Sequence, residues 1–321
     1  MYVCIIQNNK AMHTILGAGG PVANALTRQL INKNENIRLA SRRPSTFKGD
    51  NISWQKTDLL NYNEVLNAVK GSEVFYLTAG LVYDKDVWRQ QWPVIMQNMI
   101  NAAKDTGSRF IFFDNVYMYG LVNGAMTENT PYKPVSVKGE IRAKVATQLM
   151  DEVAKGNITA TILRGADFYG AETMNSFLDS MVLSKYAKGE KAQWMGNPKC
   201  LHNFSYLPDC GTAMRLLGET PEADNQIWHV PTAKPITGTQ FLELAASIYG
   251  VAPKYMRINK LMLQTIGLFN KLIRGTVEMY YQTDHDYIFD STKFENYFKV
   301  KPTSYRDGFM ELSKTLHQPK A

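Results

Sequence analysis

The stretch His13-Thr14-Ile15-Leu16-Gly17-Ala18-Gly19-Gly20-Pro21-Val22-Ala23-Asn24-Ala25-Leu26 decides how this chain is read. A short apolar run enters three glycines and a helical pattern leaves them. This predicts a strand, a tight turn and a helix whose N-terminus faces the turn. The free N–H groups and the positive dipole end of such a helix make a site for a phosphate or pyrophosphate. Glycine lets the backbone approach the anion closely and take φ > 0. Gly17 and Gly19 fit the first two positions of G-x-G-x-x-G, and the spacing Gly17-x-x-Gly20-x-x-Ala23 fits better, with a small Ala last. Gly17, Gly19, Gly20, Pro21 and Val22 are the expected contacts to the anion.

Asn36–Ala40 reads as a second strand, and it runs into Ser41-Arg42-Arg43-Pro44. About 20 residues after the glycines, a dinucleotide-binding fold reads the ribose 2′ position. A carboxylate there would accept from a 2′-OH and favour NAD. Ser41, Arg42 and Arg43 instead offer a hydroxyl and two guanidiniums, which suit a 2′-phosphate, so NADP is expected before NAD. The plainer alternative is a glycine-rich turn followed by two solvated arginines.

Apolar strand-like runs then alternate with helical patterns. Strands are expected at Ile52–Lys56, Glu73–Thr78, Arg109–Phe113 and Thr159–Leu163, and helices at Ala25–Asn32, Tyr62–Val69, Gln91–Thr106 and Val137–Lys155. Continuous apolar strands between amphipathic helices point to an α/β fold, a Rossmann-type doubly wound parallel sheet. After Arg164 the texture changes to a loop and helix over Ala171–Gly189, a helix ending near Leu217, a strand over Gln226–Val230, a helix capped by Thr237-Gly238-Thr239-Gln240 and ending near Tyr249-Gly250, and a helix over Leu261–Arg274. That last helix reads as packed in the second lobe rather than lying on a membrane. The expected division is a dinucleotide-binding domain over 1–165, rejoined by 226–231, and a smaller, interwoven C-terminal substrate lobe over 166–321.

The 321 residues are 45% hydrophobic and 20% charged, an ordinary globular composition. The net charge of +7 comes from basic residues spread along the chain, which serves a phosphate-bearing small molecule as well as nucleic acid. No nucleic-acid-binding motif stands out, so no nucleic-acid partner is expected. Three cysteines make no disulfide framework, and Cys200, His202 and Cys210 lack the spacing and the fourth ligand of a zinc site. The apolar start Met1–Ile6 is too short for a signal peptide, and no run of about 18 apolar residues occurs. The cytoplasm and no membrane partner are the expectations, with residues before Met12 read as an extension. A homodimer is compatible with this reading and is not fixed by it.

Taken together, these motifs resemble the extended short-chain dehydrogenase/reductases, the NAD-dependent epimerase/dehydratase family. The resemblance runs from about Met12 to Leu316 and rests on the glycine turn, Arg42-Arg43-Pro44, Asp58-Leu59, Leu77-Thr78-Ala79, Tyr119-Gly120, Arg164, Asp167-Phe168-Tyr169-Gly170 and Tyr206-Leu207-Pro208-Asp209. It implies that Asp58 and Leu59 hold the adenine and that Leu77, Thr78 and Ala79 lie along the ribose and pyrophosphate. Gly165, Ala166, Asp167 and Phe168 would lie near the nicotinamide. On its own, Asp58 reads equally well as a helix N-cap.

The catalytic positions depart from the family pattern. The family's Ser or Thr, five residues before the Gly of the Tyr-Gly pair, is Asn115 here. Its Tyr-x-x-x-Lys falls on Lys138-Gly139-Glu140-Ile141-Arg142, so Lys138 replaces Tyr and Arg142 replaces Lys. Arg142 can still donate to ribose hydroxyls, and it lies one helical turn from Lys138. Lys138 could serve as a general base only with a pKa well below its usual value of about 10.4. Asn115 can hydrogen-bond a carbonyl but cannot exchange a proton. Tyr117 and then Tyr169 are the spare phenols. The expected function is an atypical NADP-dependent oxidoreductase or epimerase/dehydratase-like enzyme acting on a carbonyl or alcohol of a small molecule, such as a nucleotide-sugar. A non-catalytic NADP-binding sensor or scaffold is the alternative.

Overall fold

The structure, a computed structural model, describes residues 11–172, 178–269 and 271–316. Seven strands form the main sheet: β1 (Met12–Leu16), β2 (Asn36–Ser41), β3 (Ile52–Lys56), β4 (Val74–Leu77), β5 (Arg109–Asp114), β6 (Ala160–Arg164) and β7 (Ile227–His229). They lie in the order β7-β6-β5-β4-β1-β2-β3, and every pair is parallel. This is the doubly wound Rossmann-type sheet read from the sequence. The strand order reverses between β1 and β4, and ligands of such sheets bind at the carboxyl ends of the strands at that switch point. The glycine turn lies there.

Alternation along each strand feeds two cores. Leu16, Phe75, Leu77, Phe110 and Phe112 face α2 (Tyr62–Val69), α3 (Lys85–Thr106) and α4 (Val137–Ala154). Ile15, Val74, Tyr76 and Ile111 face α1 (Pro21–Asn32) and α5 (Leu207–Glu219). Strands covered on both faces carry no polar alternation, which is why they read as continuous apolar runs.

Three local expectations change. Helix α1 begins at Pro21 rather than Ala25, with Gly20 as its N-cap. Helix α3 begins at Lys85 rather than Gln91, because the Asp84 carboxylate accepts from the N–H groups of Asp86 and Val87. Pro93 lies inside the helix, and the added first turns carry the buried Trp88. Asp58 does not cap α2. Asn61 does, accepting from Asn63 and Glu64, while Asp58 Oδ1 accepts from the N–H of Leu60.

The C-terminal part has its own core of Tyr169, Trp194, Phe204, Phe241, Tyr305 and Phe309. Helix α6 (Gly238–Tyr249) carries the expected Thr237–Gln240 capping box and ends at Gly250. The segment Leu261–Arg274 is two helices, α7 (Lys260–Phe269) and α8 (Lys271–Val277), and α7 leaves most of its apolar side chains exposed. In the loop and helix expected over Ala171–Gly189, Thr173 to Phe177 lie outside the described residues. No helix among the described residues is long and apolar enough to cross a membrane.

Candidate active site

The turn after β1 is shaped by contact as well as conformation. Gly17 has φ +91, and a Cβ there would sit 2.7 Å from the Ala79 backbone, so only glycine lets β1 and β4 converge at this end. The N–H groups of Gly17 and Ala18 are taken by the Ala40 carbonyl. Gly20 is the N-cap of α1, with no side chain capping the helix and no acid in its first turn. A Cβ on Gly19 would meet nothing within 4 Å, and one on Gly20 only the Gly17 carbonyl at 3.6 Å. The space beside a bare helix N-terminus is therefore open, as a bound pyrophosphate needs. Pro21 opens the helix and Val22 is buried beneath it.

Gly20 has φ −78, a value that any residue adopts. Gly20→Val should accordingly leave the melting temperature nearly unchanged and lower dinucleotide affinity by at least about 100-fold, because the isopropyl group fills the anion's space. Titration calorimetry beside a thermal melt checks both halves. Normal binding by a folded variant would move the pyrophosphate elsewhere.

At the end of β2, Arg42 and Arg43 are exposed and make no ion pair among the described residues. Ser41 is less free than expected. Its hydroxyl donates to the Arg43 carbonyl at 2.6 Å and accepts from Trp54 Nε1 at 3.2 Å. The Thr78 hydroxyl also turns inward, to the Leu16 carbonyl at 3.1 Å. Leu77 closes β4, and Ala79 meets the glycine turn. Asp58 is exposed at the end of β3, with Leu59 half-buried beside it.

The segment after β5 carries Asn115, whose Oδ1 accepts from the N–H of Tyr117 at 3.1 Å and starts a short 3-10 turn over Tyr117–Tyr119. Its Nδ2 has no protein partner among the described residues. Gly139 in α4 allows this turn to approach, since a Cβ there would lie 2.6 Å from the Tyr117 carbonyl. Tyr117 receives a 3.4 Å hydrogen bond from Tyr83, and its ring lies parallel to Trp88. Burial, reinforced by the Asp167 charge, pushes the Tyr117 phenol up to about 12.

Lys138 and Arg142 share one face of α4, as their spacing predicts, and both sit over aromatic rings. Lys138 Nζ lies 4.2 Å above Tyr83, and the Arg142 guanidinium lies 3.9 Å above Trp92. Lys138 is fully buried. Its ammonium donates to the Gly275 carbonyl at 2.7 Å and to Glu278 Oε1 at 2.6 Å, while Glu278 Oε2 accepts from the N–H of Val137 at 2.9 Å. Here the amine ties α4 to the end of α8 instead of facing an open cleft. No sequence signal linked Lys138 to Glu278, which lies 140 residues away. Arg142 is 6% exposed and 3.4 Å from Asp114, yet its Nε and Nη1 make no hydrogen bond. Burial lowers the Arg142 pKa and raises that of Asp114. A buried guanidinium with spare donors fits a ligand's hydroxyls.

The loop after β6 places Asp167 against His202, with Oδ2 at 3.1 Å from Nε2, and Phe168 against Phe113. Gly165 donates to the Asp114 carbonyl, and Ala166 to the Ser205 hydroxyl. Tyr169 corrects an expectation. It follows Phe168 on a strand, so it points the opposite way, into the second core between Tyr206, Tyr305 and Phe309. It is no candidate proton donor. Tyr281 had escaped the sequence reading. Its hydroxyl is buried beside a groove that Ser136 and Glu278 also line. No group of His, Cys, Asp and Glu among the described residues could hold a metal ion.

Residues 13–230 match the NAD dependent epimerase/dehydratase family. The chain belongs to that family. No protein of curated function matches the sequence. Among solved structures, dTDP-glucose 4,6-dehydratase from Bacillus anthracis in complex with NAD superposes with TM-score 0.80 at 12% identity, covering 95% of this chain and 96% of the other. UDP-glucose 4-epimerase from Thermus thermophilus in complex with NAD gives 0.76 at 14%, covering 95% and 98%. UDP-glucuronic acid 4-epimerase from Bacillus cereus in complex with NAD gives 0.77 at 14%, covering 96% and 100%. At such identities these likenesses speak for the fold.

Proposed function

We propose that this epimerase/dehydratase-family protein is an NADP-dependent enzyme acting on a carbonyl or alcohol carbon of a small molecule, a nucleotide-sugar being the leading class. The observation that carries the cofactor reading is the bare N-terminus of α1 beside an open glycine turn, with Arg42 and Arg43 exposed at the end of the next strand. The N–H groups of the first turn of α1 would hold the pyrophosphate. Arg42 and Arg43 would pair with the 2′-phosphate, Asp58 and Leu59 would border the adenine, and the spare donors of Arg142 would serve the nicotinamide ribose. When bound, the nicotinamide exchanges a hydride at C4 with the substrate carbon.

The chain's own task is proton transfer and orientation. Asn115 Nδ2 is free to donate to a substrate oxygen. Tyr117 takes the place of the absent tyrosine as proton donor. With its pKa raised to about 12 it is protonated at neutral pH, the form that can donate to a developing alkoxide. The anchored Lys138 favours one further reading, a non-catalytic NADP sensor.

Calorimetric titration with NADPH and NADH tests the cofactor. NADPH should bind at least about ten-fold more tightly, and Arg42→Ala/Arg43→Ala should remove that margin while shifting NADH by less than about two-fold. Equal affinities in the unaltered protein would end the NADP reading. NADPH absorbance with a panel of carbonyl compounds and nucleotide-sugars tests catalysis, and tight binding without turnover on any of them favours the sensor.

A further inference from the structure

Helix α7 is built against the usual rule for apolar side chains. It buries only Leu263 and Gly267. Leu261 is 71% exposed, Ile266 43%, Leu268 68% and Phe269 90%. No other helix among the described residues exposes more than one large apolar side chain. Single exposed apolar residues are ordinary, whereas four on one ten-residue helix form a patch.

The patch is held out by its supports. A Cβ on Gly267 would lie 3.1 Å from Arg274 Cα, so α7 and α8 touch backbone to backbone. Arg274 donates to the Gly267 and Leu268 carbonyls, each at 2.9 Å, and so caps the last turn of α7. The far end of α8 is anchored through Gly275 and Glu278 to Lys138. The hairpin is fixed at its base, with Leu268 and Phe269 presented near its tip.

Charge completes the pattern. Between Glu243 and Glu278 the sequence has no acidic residue, while it carries Lys254, Arg257, Lys260, Lys271 and Arg274, of which Arg257 lies 3.6 Å from Asp284. Lys254 and Lys260 are exposed and make no ion pair among the described residues. Apolar side chains at the tip of an acid-free, basic hairpin are complementary to an anionic lipid surface, where the rings and chains enter the headgroup boundary and the cations meet phosphates. A second copy of this chain would bring two basic hairpins face to face, which like-charge repulsion opposes.

We propose that the α7–α8 hairpin docks this protein on anionic membrane surfaces. The inference uses none of the cofactor chemistry. Flotation of the full chain with vesicles of phosphatidylcholine containing roughly 30% phosphatidylglycerol, against phosphatidylcholine alone, tests it. Binding should be at least about ten-fold stronger to the anionic vesicles and should fall by about ten-fold in 0.5 M salt. Leu268→Ser/Phe269→Ser should reduce it by about ten-fold or more with an unchanged melting temperature, since both side chains are exposed. No preference for the anionic vesicles, or undiminished binding by the double variant, overturns the proposal. So does a dimer in sedimentation that the same variant dissociates, because the patch would then be the chain's own interface.

Discussion

Lys138→Met should cost about 3 kcal/mol of stability and lower the melting temperature by roughly 4–5 °C. The variant leaves Glu278 with only the Val137 N–H, in a position where its side chain is 23% exposed. A carboxylate that loses its buried partner is left uncompensated, and the small opening to solvent puts the cost at the lower end for such pairs. Lys138→Met/Glu278→Gln should recover much of the loss, giving a coupling of about 1–3 kcal/mol in a double-mutant cycle. Turnover per folded molecule should change by less than about ten-fold, whereas Tyr117→Phe should lower it by about 100-fold or more. The reverse pattern, stability kept and turnover lost in Lys138→Met, would return Lys138 to the role of general base.

Acidification should unfold the protein through two histidines. Burial pushes His13 down to about 4 and His229 down to about 3. His13 Nδ1 lies 3.0 Å from the Tyr76 hydroxyl. His229 is neutral in a relay. Arg164 donates to Tyr119, Tyr119 donates to His229 Nε2 at 2.8 Å, and His229 Nδ1 donates to the Asp290 carbonyl at 2.7 Å. A protonated Nε2 could not accept from Tyr119. Both folded-state values lie below the unfolded value of about 6.5, so the unfolded chain takes up protons first. The stabilisation is complete above about pH 6.5 and is lost as pH falls toward the folded values.

At about pH 5 each histidine has cost about 2 kcal/mol, or about 4 kcal/mol together. The buried carboxyls Asp114 and Asp209 have raised pKa values and act with the opposite sign. The clean measurement is therefore a comparison. Between about pH 7.5 and about pH 5, the unfolding free energy of His13→Gln/His229→Gln should fall by about 4 kcal/mol less than that of the unaltered chain. Parallel pH profiles for the two proteins would remove the histidines from the account.

Local physics wrote much of the fold into the sequence. Gly17-Ala18-Gly19-Gly20-Pro21 specifies a turn and a helix start by backbone conformation alone, and β3 and α2 fall within their expected bounds. Strands covered on both faces read as apolar runs, so the doubly wound parallel sheet was legible, while its strand order came only with the tertiary structure. The Thr237–Gln240 box and Gly250 marked both ends of α6 because capping is decided within a few residues. The spacing of Lys138 and Arg142 likewise fixed that they share a face.

What those side chains meet depends on partners distant in the chain. Glu278 and Gly275 hold Lys138, Tyr83 lies under its ammonium, and Trp88 and Trp92 lie under Arg142. Tyr169 left the candidate site because one residue along a strand reverses the side chain's direction, and only the register with Phe204–Tyr206 says which way it points. The apolar stretch Leu261–Arg274 carries the same signal whether its face is buried or bare. Periodicity records that an apolar face exists, and tertiary contacts alone decide whether anything covers it.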